Sequence, residues 1–155
     1  MAFEKTPRGS RGGGMPAFAT PVAKFMNGMM VRRYRRSSGG PMMGMNMLVL
    51  TTVGAKTGKQ RETPLGCFPD GDNAWLIVAS AAGLVNNPAW YHNLAAHPDQ
   101  VKLETGGKTY RATAAPLSGA ERDAAWQRIK AESPRYAGYE QKTDRLIPII
   151  RLTAA

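Results

Sequence analysis

Met47-Leu-Val-Leu-Thr-Thr-Val-Gly-Ala-Lys-Thr-Gly-Lys-Gln-Arg-Glu-Thr-Pro-Leu-Gly-Cys-Phe68 joins a run of branched apolar residues to a second extended run through a short basic loop. Met47 to Val53 has the character of a buried strand, Gly54-Ala-Lys-Thr-Gly58 reads as a turn, and Arg61 to Phe68 extends again. The product is a β-hairpin tipped with Lys56, Thr57, Gly58, Lys59 and Arg61. Glycines let backbone N–H groups approach a ligand, and the cations and the Thr57 hydroxyl supply the donors that phosphates and carboxylates require. The tip is therefore a candidate anion site, against the plainer reading of a solvated hairpin end.

Two nucleotide motifs are excluded. Gly54 to Gln60 superficially resembles a P-loop, but it is one residue short, Val53 stands where the first Gly belongs, and Gln60 replaces the Ser or Thr that would hold magnesium. No helix N-terminus follows, because the chain runs through Pro64 into a β-like segment. Gly9-Ser-Arg-Gly-Gly-Gly14 follows no strand and has the wrong glycine spacing for a dinucleotide fold.

Outward from the hairpin, 155 residues suit one domain with one core. The net charge of +10 is uneven: residues 1–36 hold eight Lys/Arg against Glu4 alone, so +7 resides there. Charge gathered in this way, rather than in an aromatic-studded stripe, argues against nucleic acid as a partner. Cys67 is the single cysteine, which permits no internal disulfide and suits a reducing cytoplasm. No apolar run is long enough to span a bilayer, and no signal-peptide core is present.

Residues 1–15 read as a disordered basic arm. Residues 16–37 read as an amphipathic basic helix, with Phe18, Val22, Phe25, Met26, Met29 and Met30 at helical spacing and Arg32-Arg-Tyr-Arg-Arg36 at its C-terminal end. Its apolar stripe can pack on the domain or dock on an anionic membrane surface, which would make the protein cytoplasmic and peripheral on the inner face of the cell membrane. Residues 45–155 form the main domain. There a third strand over Ala74 to Ser80 follows the Asp70-Gly-Asp-Asn73 turn, and a helix capped by Asn86 or Asn87 runs to Ala96. A hairpin turns at Thr105-Gly-Gly107, and a helix is capped by Ser118 with Glu121 at the capping-box position. Tyr136 and Tyr139 then sit at helical spacing, and a last strand runs from Arg145 to Leu152, where Pro148 predicts an edge or bulged position. Hairpin-linked strands with inserted helices predict a mainly β, α+β fold: an antiparallel barrel with helices at its side.

The chemistry-bearing residues do not compose a hydrolase. Ser80 lies in Ala79-Ser-Ala-Ala-Gly83 rather than in a nucleophile elbow, and His92 and His97 lack the Glu of a zinc helix, so no metal site is expected. An anion-binding hairpin, a small-residue strand end, a Trp/Tyr/Asn helix and two tyrosines could together hold a large flat cofactor with an anionic tail.

The ordered combination Leu50-Thr-Thr-Val-Gly-Ala-Lys-Thr-Gly-Lys-Gln-Arg-Glu-Thr-Pro-Leu65, Val78-Ala-Ser80, Asn87-Pro-Ala-Trp-Tyr-His-Asn-Leu94, Tyr136-x-x-Tyr139 and Thr143-Asp-Arg145 resembles the deazaflavin-dependent nitroreductase family of actinobacteria. That resemblance covers about residues 45 to 152. It implies a split β-barrel of the flavin-reductase and pyridoxamine-oxidase type, and it implies coenzyme F-420 as hydride donor. This cofactor is an 8-hydroxy-5-deazaflavin with a phosphate and an oligoglutamate tail, and FMN is the rival. The implied acceptor is a quinone, an activated alkene (enone) or a nitroaromatic compound. Lys56, Thr57 and Arg61 would face the phosphate and tail, with Ala55, Thr63, Pro64 and Leu65 lining the groove. Val78, Ala79, Ser80 and Ala81 would border the ring, and Trp90, Tyr91 and Asn93 would hold the cofactor from the helix. Ser80, Tyr136 and Tyr139 are the catalytic candidates around the ring, Tyr136 also touching the cofactor. Ala81 stands where some members carry a Lys, Ser133 where the nitroimidazole-reducing member has a tyrosine and Lys142 where it has a tryptophan, so the acceptor range departs from that member. The competing class is a basic, non-enzymatic membrane- or nucleic-acid-binding protein.

Overall fold

A computed structural model describes residues 3, 9, 19–37, 39–40, 45–80, 87–143 and 146–155. The expected hairpin is present: β1 (Met47–Val53) pairs antiparallel with β2 (Gln60–Gly66) in a register that sets Val53 against Gln60 and Met47 against Gly66. The remaining strands are β3 (Phe68–Pro69), β4 (Ala74–Val78), β5 (Val101–Thr105), β6 (Lys108–Pro116) and β7 (Ile149–Ala154). All seven join one antiparallel sheet in the order β2-β1-β5-β6-β7-β4-β3. The two edge strands, β2 and β3, are consecutive in the chain and separated only by Cys67. One residue between opposite edges forces the sheet to curl until its ends meet, so the sheet closes into a barrel with a seam at Cys67.

Strand alternation assigns each residue to a face. Leu48, Leu50, Leu103, Ala112, Ala114, Ile150, Leu152 and Ile77 point into the concave side, where α2 (Ala89–Ala96) adds Trp90, Tyr91 and Leu94 to the same core. On the convex side α3 (Gly119–Glu132) and α4 (Arg135–Lys142) bring Trp126, Ile129 and Tyr136 onto Phe68, Leu76, Val78 and Ile149. At the other end of that side α1 (Ala19–Arg36) lays Val31 and Tyr34 on Met47 and Val49.

The basic helix thus packs on the barrel. The Tyr34 hydroxyl donates to the Met47 carbonyl at 2.8 Å in a buried site, and the Thr105 hydroxyl donates to the same oxygen at 3.0 Å. Arg35 reaches across β1 to hold both Glu62 on β2 and Glu104 on β5. These carboxylates draw the guanidinium pKa upward, Glu62 by its hydrogen bond most of all. Arg35 and Glu62 are each 44% exposed, so the pair contributes only about 0.5–1 kcal/mol.

Three local expectations are corrected. Pro148 does not make the last strand an edge: β7 begins at the next residue and lies between β6 and β4, while the Pro148 carbonyl accepts from Ala79 N at 2.9 Å. A proline just outside a strand costs it no ladder bond. Ser118 occupies the N-cap of α3 without a side-chain bond, and Glu121 turns away from the capping box to pair with Arg151 at 3.3 Å. The N-cap of α2 is Pro88, not an asparagine. The predicted disordered arm lies almost wholly outside the described residues, but Phe3 is placed, its ring 5.5 Å from that of Tyr91.

If α1 is part of the barrel's cover, Tyr34→Ala should lower the unfolding free energy by about 3–5 kcal/mol in urea denaturation, the usual loss for a large buried ring. Tyr34→Phe, which keeps the ring and leaves Met47 O bonded to Thr105, should lose only about 1 kcal/mol.

Candidate functional site

The hairpin tip has a defined internal architecture. Gly54 N donates to Lys59 O at 2.8 Å and Gly58 N to Gly54 O at 2.9 Å, while the Thr57 hydroxyl oxygen accepts from Lys59 N at 3.2 Å. A Cβ on Gly54 would fall 2.6 Å from that hydroxyl, and Gly58 holds φ +69°, so both glycines are required for the turn itself. Ala55, Lys56, Thr57 and Lys59 are left facing solvent at the tip.

The tip is tied to the concave helix by one side chain. Asn93 of α2 accepts from Ala55 N at 3.0 Å through Oδ1 and donates from Nδ2 to the Thr52 hydroxyl at 3.2 Å. Thr52 is buried on β1. Asn93, expected to hold a cofactor directly, therefore spends its carbonyl and one N–H on positioning the loop. Thr52 escaped the sequence reading, although its inward place in the alternation of β1 was the available signal.

Arg61, Thr63 and Leu65 share the concave-facing register of β2, opposite Thr52, Leu50 and Leu48, whereas Pro64 lies opposite Val49 on the convex register. Lys56 and Arg61 each border a cleft among the described residues. Lys56 and Ala55 border a cleft of about 500 Å³ with Phe3, His92, Ala95 and Ala96. Arg61 borders a second groove, also of about 500 Å³, running under α1 beside Lys24, Arg32 and Glu62.

Val78, Ala79 and Ser80 are buried where β4 ends. Val78 belongs to the convex cluster and Ala79 to the concave one, so the strand end passes between them. Ala81 lies outside the described residues. Trp90 is 7% exposed and Tyr91 fully buried in the concave core. Both pack in the core beneath α2.

Tyr136 sits at the seam. Its ring packs at 5.8 Å on Phe68, 6.3 Å on Trp126 and 5.7 Å on Tyr139, and its hydroxyl lies 3.4 Å from where a Cβ on Gly66 would stand. Burial, with a smaller push from Tyr139, raises the phenol to about 12, so it remains a hydrogen-bond donor throughout the physiological range. Tyr139 is half-buried, with the Lys142 ammonium 5.8 Å from its ring centre. Ser133, by contrast, is the C-cap of α3, and its backbone carbonyl accepts from Tyr136 N at 3.2 Å. Burial likewise lifts the Cys67 thiol to about 12, leaving it an inert apolar filler at the seam.

Comparison with known proteins bears on this geometry. The family model described as "F420H(2)-dependent quinone reductase" matches residues 26–154. An F420H(2)-dependent quinone reductase of Mycobacterium tuberculosis is 44% identical over 109 residues, which cover 68% of this chain and 72% of that protein. The solved structure of an F420-H2 dependent reductase superposes with a TM-score of 0.62 at 38% identity, covering 68% of this chain and 92% of that one. A second structure, described as a domain-swapped dimer, reaches a TM-score of 0.64 at 32% identity over 86% of this chain and 99% of its own.

Proposed function

We infer the division of labour at this site from one premise: the chain belongs to the F420H(2)-dependent quinone reductase family. It is an oxidoreductase of split-barrel fold that uses reduced coenzyme F-420 to reduce a quinone-type acceptor. Membership decides against the non-enzymatic alternative and favours the deazaflavin over FMN.

The residues present fit that cofactor. An exposed loop carrying Lys56, Thr57 and Lys59, a neighbouring Arg61, and a buried strand end of small residues match a molecule with one anionic end and one flat end. The cofactor, when bound, supplies the hydride. The protein's share is to bind, orient and polarise. Lys56 and Arg61 hold the phosphate and the tail, Thr57 donates its hydroxyl, and Asn93 keeps the loop in place through Ala55. Val78, Ala79 and Ser80 border the ring, together with Ala81.

Reducing a quinone builds negative charge on an oxygen. A neutral O–H in a water-poor setting stabilises such charge without the cost of burying a cation. Ser80 and Tyr136 are the proposed donors to the acceptor oxygen, with Tyr139 closing the site beside Tyr136. The observation that carries this reading is the buried Tyr136 phenol at the barrel seam, held protonated by its surroundings. Enones and nitroaromatics present the same conjugated system ending in an oxygen that gains charge, and they belong to the proposed acceptor range.

A partner is proposed for α1. Its docked face leaves Val22, Phe25, Met26 and Met29 exposed, spaced one to two turns apart on a single stripe, and the same side of the helix carries Arg32, Arg33 and Arg36. Apolar side chains flanked by cations match an anionic bilayer surface, which would place the enzyme where lipid-soluble quinones are found. Among the described residues no helix is long and apolar enough to cross a membrane, so the association would be peripheral.

Two outcomes are expected. Stopped-flow oxidation of the bound reduced cofactor by menadione should slow about tenfold or more, roughly 1.4 kcal/mol of barrier, in Ser80→Ala or Tyr136→Phe with cofactor affinity retained. Parental rates in both variants would remove the donor role. For the helix, replacing Phe25 and Met29 by Ser should abolish salt-sensitive co-sedimentation with phosphatidylglycerol vesicles, and undiminished binding would refute the membrane surface.

A further inference from the structure

By itself α4 is a weak helix. It has eight residues, Gly138 stands at its middle where a Cβ would meet nothing within 4 Å, and its N-cap Pro134 makes no side-chain bond. A helix of that length is marginal in water, and a central glycine weakens it further. Its place at the seam therefore depends on contacts with the rest of the fold.

The neighbouring helix supplies a fixed post. Arg122, Trp126 and Lys130 recur at four-residue spacing and so share one face of α3. Both cations lie over the buried indole, the Arg122 guanidinium 5.3 Å and the Lys130 ammonium 5.6 Å from the ring centre. Arg122 also donates from Nη2 to the Ile147 carbonyl at 2.7 Å, which ties this face of α3 to the approach to β7.

Two residues of α4, one turn apart, meet that post. The Tyr136 ring packs edge-on against Trp126 at 6.3 Å, and Glu140 accepts from the Lys130 ammonium at 3.1 Å. The Trp126 Nε1 is buried with no hydrogen-bond partner in this structure, an orphaned donor. Glu140 is a carboxylate within its electrostatic reach. Burial raises the Glu140 pKa, but the indole N–H and the Lys130 ammonium together bring it below the usual carboxylate value. The Glu140 side chain is 48% exposed, so its pair with Lys130 adds little to overall stability.

We propose that Glu140 and Trp126 are positioning residues for the reaction: the carboxylate, drawn to the Lys130 ammonium and the orphaned indole N–H, fixes the rotation of α4 so that the Tyr136 phenol faces the acceptor. The proposal rests on the reading of Tyr136 as a donor to the acceptor oxygen, and it adds the groups through which α3 sets that donor's place. Both residues act through Tyr136 rather than on the acceptor.

Stopped-flow oxidation of the bound reduced cofactor by saturating menadione is compared in the parent, Glu140→Ala, Glu140→Gln, Tyr136→Phe and the double variant Glu140→Ala/Tyr136→Phe, with cofactor affinity and thermal midpoint measured alongside. Glu140→Ala removes a half-exposed side chain, so fold and cofactor affinity should be retained while the rate falls about fivefold, the kind of loss that misplacing a reacting group produces. Glu140→Gln keeps an acceptor oxygen of the same reach and should recover most of that rate. In the Tyr136→Phe background Glu140→Ala should cost nothing further, because no hydroxyl remains to be placed. A parental rate in Glu140→Ala beside a slow Tyr136→Phe would overturn the proposal. So would a glutamine variant no faster than the alanine one, or losses that multiply in the double variant. A parental rate in Tyr136→Phe would instead strike the donor reading beneath it.

Discussion

One side-chain amide holds the working parts of this barrel in register. Asn93 bonds at once to the backbone of the hairpin tip and to a hydroxyl buried on β1, so one side chain joins the concave helix, the strand and the loop. The loop itself is a short, exposed turn that needs two glycines and closes on its own carbonyls. Without an outside tie such a turn would sample many orientations, and each bound state would carry the entropy of selecting one. By engaging Ala55, Asn93 sets that orientation in advance.

The curled sheet then separates tasks by face. Its concave side is filled by the alternating residues of five strands together with Trp90, Tyr91 and Leu94 of α2. Its convex side carries α1 at one end and the α3–α4 pair at the other. The seam at Cys67 is where the two ends of the sheet meet, and Tyr136 stands against it. A phenol at such a junction is buried enough to stay neutral yet lies beside the strands that carry Thr63, Leu65 and Val78. Closure of the sheet thereby brings chemistry from residue 136 to a hairpin more than seventy residues earlier.

Much of this was legible in the sequence because it is local. The β1–β2 hairpin follows from branched residues on either side of a glycine-bounded turn, and the β5–β6 hairpin follows from the alternation of Tyr110, Ala112 and Ala114. The family motifs likewise sit on contiguous stretches. What was not legible depends on pairing across distance. Nothing near Pro148 reveals that β7 lies between β6 and β4, and nothing near Asn93 reveals that its amide meets Ala55 and Thr52. Glu121 has the spacing of a capping box, but Arg151 lies within reach and a charged partner competes for it. The helix α1 shows the same limit. Its sequence displays one continuous apolar stripe and a cationic tail, and only the packed structure divides it into a docked face held by Val31, Tyr34 and Arg35 and an exposed face of Val22, Phe25, Met26 and Met29.

The central claim is that the Asn93-tethered hairpin tip is where the anionic part of coenzyme F-420 is held. Amide hydrogen exchange with and without the cofactor reads that claim residue by residue. The account predicts that the amides of Lys56, Thr57 and Lys59 gain protection when the cofactor is added, and that in Asn93→Ala the Ala55 amide exchanges fast even before addition. Protection confined to other segments, with the tip exchanging at the same rate in the bound and free protein, would contradict it.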